Sequence, residues 1–198
     1  MRRAPPALIW AVLAAVFGTP IALSLASPLL EWRGPVYILA GLAGMIALGL
    51  LLVQPMLIAG YLPGLSAYRA RRVHRWIGAA LVIALLVHIG GLWITSPPDM
   101  IDALTYTSPT PFSPFGVTAM WAIFAVAGLA LLRRRLGLRT WRIAHMNLAV
   151  VIVAGSVVHA MLVEGTMETM SKAALCTLVV AAAVKVMADL WATKKPAR

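Results

Sequence analysis

The four histidines of this 198-residue chain form two pairs with the same spacing. His74 and His88 are fourteen positions apart in one apolar run. His145 and His159 are fourteen positions apart in another. On an α-helix, fourteen residues rise about 21 Å and turn through about 1400°, roughly 40° short of four full turns. Both histidines of a pair would therefore project from nearly the same side of their helix, one near each end of an apolar segment.

Pairing across two helices would create two sites stacked along the helix axes. We name these the inner pair, His74 with His145, and the outer pair, His88 with His159. Two opposed imidazoles suit the axial positions of a haem iron, whereas a tetrahedral metal such as zinc would need further ligands. No carboxylate or cysteine lies at either level of the two segments. The spacing therefore predicts two bis-histidine haem sites, with the four histidines as iron ligands.

Small residues lie one helical turn from each histidine, towards the middle of the segment. A flat macrocycle between two helices must approach the backbone closely, which such residues would allow. Glycine and alanine also serve plain helix contact in membranes, so each position alone is weak support. The four expected haem-packing residues are Gly78, Ala84, Ala149 and Gly155.

Intramembrane histidines have other uses as well. They can form hydrogen bonds between helices or relay protons, and polar residues at that depth favour function over structure. A histidine-based proton or metal transporter is therefore the alternative from another functional class. The use of every histidine in two equal intervals favours the haem hypothesis.

The composition indicates an integral membrane protein. Hydrophobic residues make up 62% of the chain, charged residues make up 12%, and the mean hydropathy is +0.90. Soluble domains average about half apolar and about a quarter charged. We therefore expect an all-α fold, an integral membrane six-helix bundle in a single domain (1–198), with both haem sites between the third and fifth helices and no soluble domain. The predicted spans are 7–29, 36–58, 73–94, 115–132, 141–163 and 175–191.

Positive charges are concentrated in alternate loops. Four arginines join the second and third spans ("YRARRVHR"), five join the fourth and fifth ("RRRLGLRTWR"), and Arg2, Arg3 and "TKKPAR" flank the termini. The other loops hold only Arg33 and Lys172 as cations. Because cytoplasmic loops carry an excess of Lys and Arg, we expect both termini and both arginine loops in the cytoplasm. The net charge of +11 then reflects topology in lipid, and we expect no nucleic-acid partner.

Five arginines of these loops lie within a few residues of the inner pair. Loops on this side should be basic in any case. A guanidinium fork also suits a carboxylate, so one or two of them could pair with propionates of an inner haem. The candidates are Arg71, Arg72, Arg75, Arg139 and Arg142.

Several other features have plainer interpretations. Trp141, like four other tryptophans near span ends, is expected to anchor the helix in the headgroup layer. Three methionines beside Glu164 and Glu168 could bind a transient metal ion, although methionine more often fills irregular space. The first span could instead be a cleaved signal peptide, but its apolar stretch exceeds the usual 7–15 residues or so, which favours a retained helix.

The two histidine segments resemble the ferric reductase-like transmembrane domain. "RRVHRWIGAALVIALLVH" and "LGLRTWRIAHMNLAVVIVAGSVVH" carry the resemblance, and the six-span frame extends it over essentially the whole chain. Ferric reductases, NADPH oxidases and the haem-binding membrane subunit of the bacterial periplasmic methionine sulfoxide reductase system share this domain. The resemblance implies two b-type haems that relay electrons across the bilayer, with the inner and outer pairs as their ligands.

The resemblance also has implications for partners. Ferric reductases and NADPH oxidases continue into a cytoplasmic flavin and nicotinamide domain, but only "ATKKPAR" follows the last span here. We therefore expect an electron-transfer subunit of an oxidoreductase that depends on a separate cytoplasmic flavoprotein or a quinol, with the flavin or quinone supplied by or shared with that partner. The outer-face acceptor would be ferric iron or, in the alternative, a periplasmic methionine sulfoxide reductase. The expected location is the bacterial inner membrane.

Overall fold

The computed structural model describes residues 5–192, and this range contains helices and turns but no strand. The terminal cations that entered the topology prediction, at 1–4 and 193–198, lie outside the described residues. Short 3-10 helices cover Pro28–Leu30 and Arg133–Arg135. The α-helices are α1 (Pro6–Leu25), α2 (Pro35–Ala59), α3 (Ala67–Thr95), α4 (Pro97–Leu104), α5 (Ser113–Leu131), α6 (Leu138–Leu162) and α7 (Thr169–Ala192).

Six of these helices, all except α4, are long and apolar enough to cross a membrane. The prediction of an all-α bundle with six membrane spans is confirmed, and the chain is a multi-pass membrane protein. The third and fifth spans, which carry the histidines, are α3 and α6. The short helix α4 lies in the loop between α3 and α5.

Polar caps start α3 and α7 earlier than the apolar stretches suggest. The first helical turn leaves backbone N–H groups that need acceptors outside the helix. Ser66 Oγ accepts from the amide of Arg69 at 3.4 Å, so α3 begins six residues before the predicted position 73. The Glu168 carboxylate accepts from the amides of Met170 (2.7 Å) and Ser171 (2.6 Å), so α7 begins six residues before position 175.

The spans pack as two close pairs, α2 with α3 and α5 with α6. Helix α7 contacts both α2 and α6 and so joins the two pairs, while α1 covers α2 and α7. Small residues bring the backbones together: a Cβ atom at Gly91 of α3 would lie 2.7 Å from the Cβ of Ala40 in α2. Each histidine-bearing helix is therefore fixed by a neighbour other than its histidine partner.

A small apolar cluster separates the two histidine levels. It contains Leu81 of α3, Ala122 and Ile123 of α5, and Ile152 of α6, all buried. Leu81 and Ile152 each lie seven residues, nearly two helical turns, from both histidines of their helix. They therefore project from the histidine-bearing sides, halfway between the inner and outer pairs. We call this cluster the middle layer.

The segment before α5 is fixed by hydroxyl groups. Thr110 Oγ1 lies 2.5 Å from Ser113 Oγ and 2.9 Å from Ser108 Oγ, and Ser113 donates to Ser108 at 3.2 Å. Ser113, the first residue of α5, is buried. This network holds the backbone at Phe112, which contributes to the outer pair.

The end of α6 is held from α7. Lys172 is 6% exposed, and its Nζ donates to the backbone carbonyl of Val163 at 2.8 Å. The last carbonyls of a helix have no partner within the helix and form its negative end. A lysine ammonium group there supplies both a hydrogen-bond donor and a positive charge. Val163 lies one turn after His159, and Lys172 therefore helps to fix the outer end of the histidine-bearing helix.

Candidate functional site

The inner pair faces across α3 and α6. The ring centroids of His74 and His145 are 6.3 Å apart, and the ring planes are inclined by 65°. When two imidazoles bind opposite sides of one metal ion, each bond is about 2.0 Å long and each centroid lies about 1.1 Å further out, so the centroids are roughly 6 Å apart. The observed separation therefore matches the spacing expected for two imidazoles bound to one metal ion.

The outer histidines are oriented by backbone carbonyls. His88 Nδ1 donates to the Ala40 carbonyl at 2.8 Å, and His159 Nδ1 donates to the Phe112 carbonyl at 3.0 Å. Because a carbonyl can only accept, Nδ1 carries the proton, and Nε2 of the neutral ring keeps its lone pair. Metal-binding histidines generally have their second nitrogen bonded in this way.

The inner histidines are held differently. His74 Nδ1 lies 3.3 Å from the carbonyl of Gln54, a long hydrogen bond. His145 has no ring hydrogen bond within the described range, and its ring stacks on Trp141 with a centroid distance of 5.0 Å and an interplanar angle of 14°. Trp141, expected as a membrane anchor, therefore contacts a ligand candidate directly. The position of its ring could not be inferred from its place near a span end.

Two glycines that the histidine pattern does not predict lie against the outer histidines. A Cβ atom at Gly44 of α2 would come within 2.9 Å of His88 Nδ1, and one at Gly116 of α5 within 2.5 Å of His159 Nδ1. Each glycine follows, by four positions, the residue whose carbonyl accepts from that histidine. We call each combination of carbonyl and glycine an imidazole seat. The signal in the sequence is only a glycine on a neighbouring span, which is common in membrane helices.

The expected haem-packing residues lie at several helix contacts. A Cβ atom at Gly78 would lie 3.3 Å from Gln54 Nε2, and one at Gly155 would lie 2.9 Å from the Phe115 carbonyl. Gly155 thus allows α6 to approach α5 closely, in addition to any contact with a cofactor. Ala84 and Gly155 are buried, whereas Gly78 and Ala149 are half-buried.

The five arginines proposed as propionate partners are all exposed. Arg72 and Arg75 line an open groove with Trp76 and Ala79. On a helical wheel these two arginines point about 100–160° away from His74. The remaining candidates are nearer the histidine side, at about 60° for Arg71 and Arg142 and about 120° for Arg139.

Two buried polar atoms beside the inner pair have no hydrogen-bond partner among residues 5–192. They are Oε1 of Gln54 and Nε1 of Trp141. The backbone carbonyl of Gln54 accepts from His74, and Trp141 stacks on His145. Buried polar groups are normally paired, so an unpaired donor here indicates a polar ligand with an acceptor group. Haem has a metal ion that the imidazoles of His74 and His145 could bind, and carboxylates that could accept from Trp141 Nε1. The residues present at the inner pair therefore fit haem.

One of the two carboxylates near the outer end of α6 serves as a helix cap. Glu168 uses both carboxylate oxygens to cap α7. The amides of Ser171 and Met170 hold the pKa of the Glu168 carboxyl below its ordinary value. Within the described residues, no group of three His, Cys, Asp or Glu side chains is placed to hold a metal ion. The suggestion of a transient metal site at Glu164 and Glu168 gains no support from this geometry.

Fold and site together define a multi-pass membrane protein in which two pairs of histidines are stacked inside a six-span bundle. The family model of the ferric reductase like transmembrane component matches residues 39–156, more than half of the chain. The chain belongs to this family, as the histidine segments predicted. The matched range includes His74, His88 and His145 and ends three residues before His159.

Family membership indicates a role in transmembrane electron transfer, and domains of this family generally bind haem and work with redox partners. No curated protein and no solved structure matches the chain.

Proposed function

We propose that the protein carries electrons across the membrane through two b-type haems, each ligated by one histidine of α3 and one of α6. The 6.3 Å separation of the His74 and His145 rings is the observation that supports this most strongly. At the outer pair, the support is that His88 and His159 each donate from Nδ1 to a backbone carbonyl. This leaves Nε2 of both rings available for a metal ion. All four histidines are iron ligands in this proposal.

Haem iron bound at these pairs would supply reversible one-electron oxidation and reduction. The protein's own residues have three tasks. The imidazoles ligate through Nε2, and the seats at α2 and α5 hold the outer rings and the proton on Nδ1. The middle layer, with Leu81 and Ile152 at its centre, excludes water between the two levels. The small residues Gly78, Ala84, Ala149 and Gly155 are the ones expected to lie against the macrocycles, and Gly155 also allows α6 to approach α5.

Electrons enter from the arginine-rich side in this proposal, and this side faces the cytoplasm of a bacterial inner membrane. The donor is a separate flavoprotein or a quinol. A basic face would attract an acidic donor protein. Among the expected propionate partners, Arg71 and Arg142 are favoured because each lies three residues before an inner histidine, nearer its side of the helix.

The acceptor on the opposite side is ferric iron. A periplasmic methionine sulfoxide reductase is the alternative, suggested by the same resemblance. The hydroxyl groups of Ser108, Thr110 and Ser113 lie next to Phe112 on this side. They offer neutral hydrogen-bonding groups, in contrast to the guanidinium groups at the other end.

The test is the haem content of the purified protein. A pyridine haemochrome assay should give two b-type haems per polypeptide, with low-spin, six-coordinate spectra. Each His→Ala variant should contain less haem, while Asn147→Ala, on the exposed side of α6, should match the wild type. A protein without haem would contradict the proposal and favour a histidine-based transporter, which proton-flux measurements in vesicles would then detect.

Electron transfer itself is tested in proteoliposomes. Dithionite added outside should reduce ferricyanide trapped inside vesicles that contain the haem-loaded protein. Vesicles with the His88→Ala variant should show little transfer, because the chain of haems is broken at the outer level. Equal rates with the wild type and this variant would refute transfer through both haems.

A further inference from the structure

We infer that Trp141 orients His145 and donates its indole N–H to a carboxylate of the group bound at the inner pair, with Arg133 beside it. The Trp141–Arg133 contact is then a carboxylate site distinct from the five arginines considered above. This inference rests on the proposed haem function.

His145 differs from the other three histidines. Nδ1 of His74, His88 and His159 in each case meets a backbone carbonyl, at 3.3, 2.8 and 3.0 Å. His145 has no such bond within residues 5–192, but its ring lies nearly parallel to the indole of Trp141, at 5.0 Å and 14°. Ligand histidines require a partner that fixes their ring orientation. Stacking on the indole supplies this constraint where a carbonyl is lacking.

The indole also presents an unused donor. Trp141 Nε1 is buried and has no partner among the described residues. An indole nitrogen can only donate, and a buried donor without an acceptor is costly. The natural complement is a group that only accepts, such as a carboxylate. An anchor in the headgroup layer would instead direct this N–H to water or lipid, so burial argues against a simple anchoring role.

A positive charge lies against the same ring. The guanidinium carbon of Arg133 is 4.8 Å from the indole centroid of Trp141. Arg133 begins the 3-10 helix that follows α5, at the arginine-rich end of the bundle. A carboxylate at the indole N–H would therefore meet a cation nearby, which strengthens charge-assisted hydrogen bonds. Haem propionates are the carboxylates that binding at His145 would bring to this place.

The experiment compares two substitutions at Trp141 in the full-length, haem-loaded protein. Trp141→Phe keeps an aromatic ring against His145 but removes the N–H, and Trp141→Leu removes both. The matched controls are Trp121→Phe and Trp121→Leu on α5, where the indole is exposed and contacts Phe124. The readouts are the electron paramagnetic resonance spectrum of low-spin ferric haem and the rate of haem transfer to apomyoglobin.

Trp141→Phe should retain the wild-type resonance spectrum and release one of the two haems roughly tenfold faster, as expected for loss of one charge-assisted hydrogen bond. Trp141→Leu should also change or abolish the resonance of that haem. Arg133→Gln should accelerate release in the same direction, whereas Arg134→Gln, in the same turn, should not. Both Trp121 variants should match the wild type.

Each part of the inference can fail separately. Wild-type release rates in Trp141→Phe would contradict donation to a carboxylate, and an unchanged spectrum in Trp141→Leu would contradict the orienting role. Both failures are read against a wild type that holds two haems, so they leave the proposed function intact. A wild type without haem would overturn the proposed function and this inference with it.

Discussion

Gly116 lies directly against the imidazole of His159, where a Cβ atom would approach Nδ1 to 2.5 Å. The Phe112 carbonyl accepts from His159 at 3.0 Å and also from the amide of Gly116 at 3.2 Å. An imidazole that shares a helical carbonyl with the amide four residues later must lie over that later residue. Any side chain there would displace the ring, so the hydrogen bond and the glycine depend on each other.

Gly116→Ala should therefore impair the outer haem. The added methyl group must move the His159 ring or separate α5 from α6, at a cost of about 1–3 kcal/mol. Gly44→Ala should act in the same way through His88, with a smaller effect because its Cβ contact would be longer, at 2.9 Å. The measurement is haem per polypeptide and its loss in a denaturant titration.

Gly128→Ala is the control for this prediction, because Gly128 also lies on α5 and a Cβ atom there meets nothing within 4 Å. Full haem retention in Gly116→Ala would show that the imidazole seat tolerates a side chain and that the glycine is not required.

The four histidine variants should separate by level. His88→Ala or His159→Ala should lose the outer haem and leave an inner haem that a donor on the arginine-rich side still reduces. His74→Ala or His145→Ala should cut off input from that side. Potentiometric titrations of haem absorbance would resolve the two levels. If His74→Ala and His145→Ala removed different haems, the pairing across α3 and α6 would be wrong.

Leucine at the small positions should expel haem without changing a ligand. Gly78→Leu adds bulk beside Gln54, and Gly155→Leu adds it where the Phe115 carbonyl lies 2.9 Å from a Cβ atom. Overpacking typically costs on the order of 1–3 kcal/mol, and leucine does not harm membrane insertion. Haem per polypeptide is measured against Gly128→Leu. Wild-type occupancy in both variants would contradict the prediction that these glycines lie against a macrocycle.

The Glu168 cap should make the stability of α7 dependent on pH. Because the pKa of the folded carboxyl is lowered, the carboxylate form stabilises the fold above the ordinary value of 4.5, and this contribution is lost as pH falls through the folded pKa. Thermal unfolding in detergent should show wild type more stable than Glu168→Gln at neutral pH, with the difference shrinking in acid. A difference that is constant from neutral to acidic pH would contradict a charged cap.

The histidine spacing was sufficient to predict which side of each histidine-bearing helix carries the candidate site. A period of fourteen residues places His74 with His88 and His145 with His159 on the same sides of two spans, and the hydropathy defined the spans themselves. The inner contact between His74 and His145 at 6.3 Å agrees with this geometry. Information of this kind is local to one helix, so a single sequence carries it.

The contributions of α2 and α5 could not be predicted in this way. Ala40 and Phe112 act through backbone carbonyls, which every residue has, and Gly44 and Gly116 act by lacking a side chain. Their importance depends on which helix packs where, and no periodicity reports that. Trp141 illustrates the same limit, because a tryptophan near a span end looks the same whether its ring faces lipid or a histidine.

The middle layer has a consequence for the energetics of the membrane. Leu81, Ala122, Ile123 and Ile152 contain no group that could pass on a proton, and they lie between the two histidine levels. If electrons cross here, no compensating proton follows the same route, so each turnover would be electrogenic. Moving one charge across a membrane involves about 2.3 kcal/mol per 100 mV. A transmembrane voltage that is negative on the arginine-rich side and positive on the other would then favour the outward movement of electrons by this amount and oppose their return by the same amount.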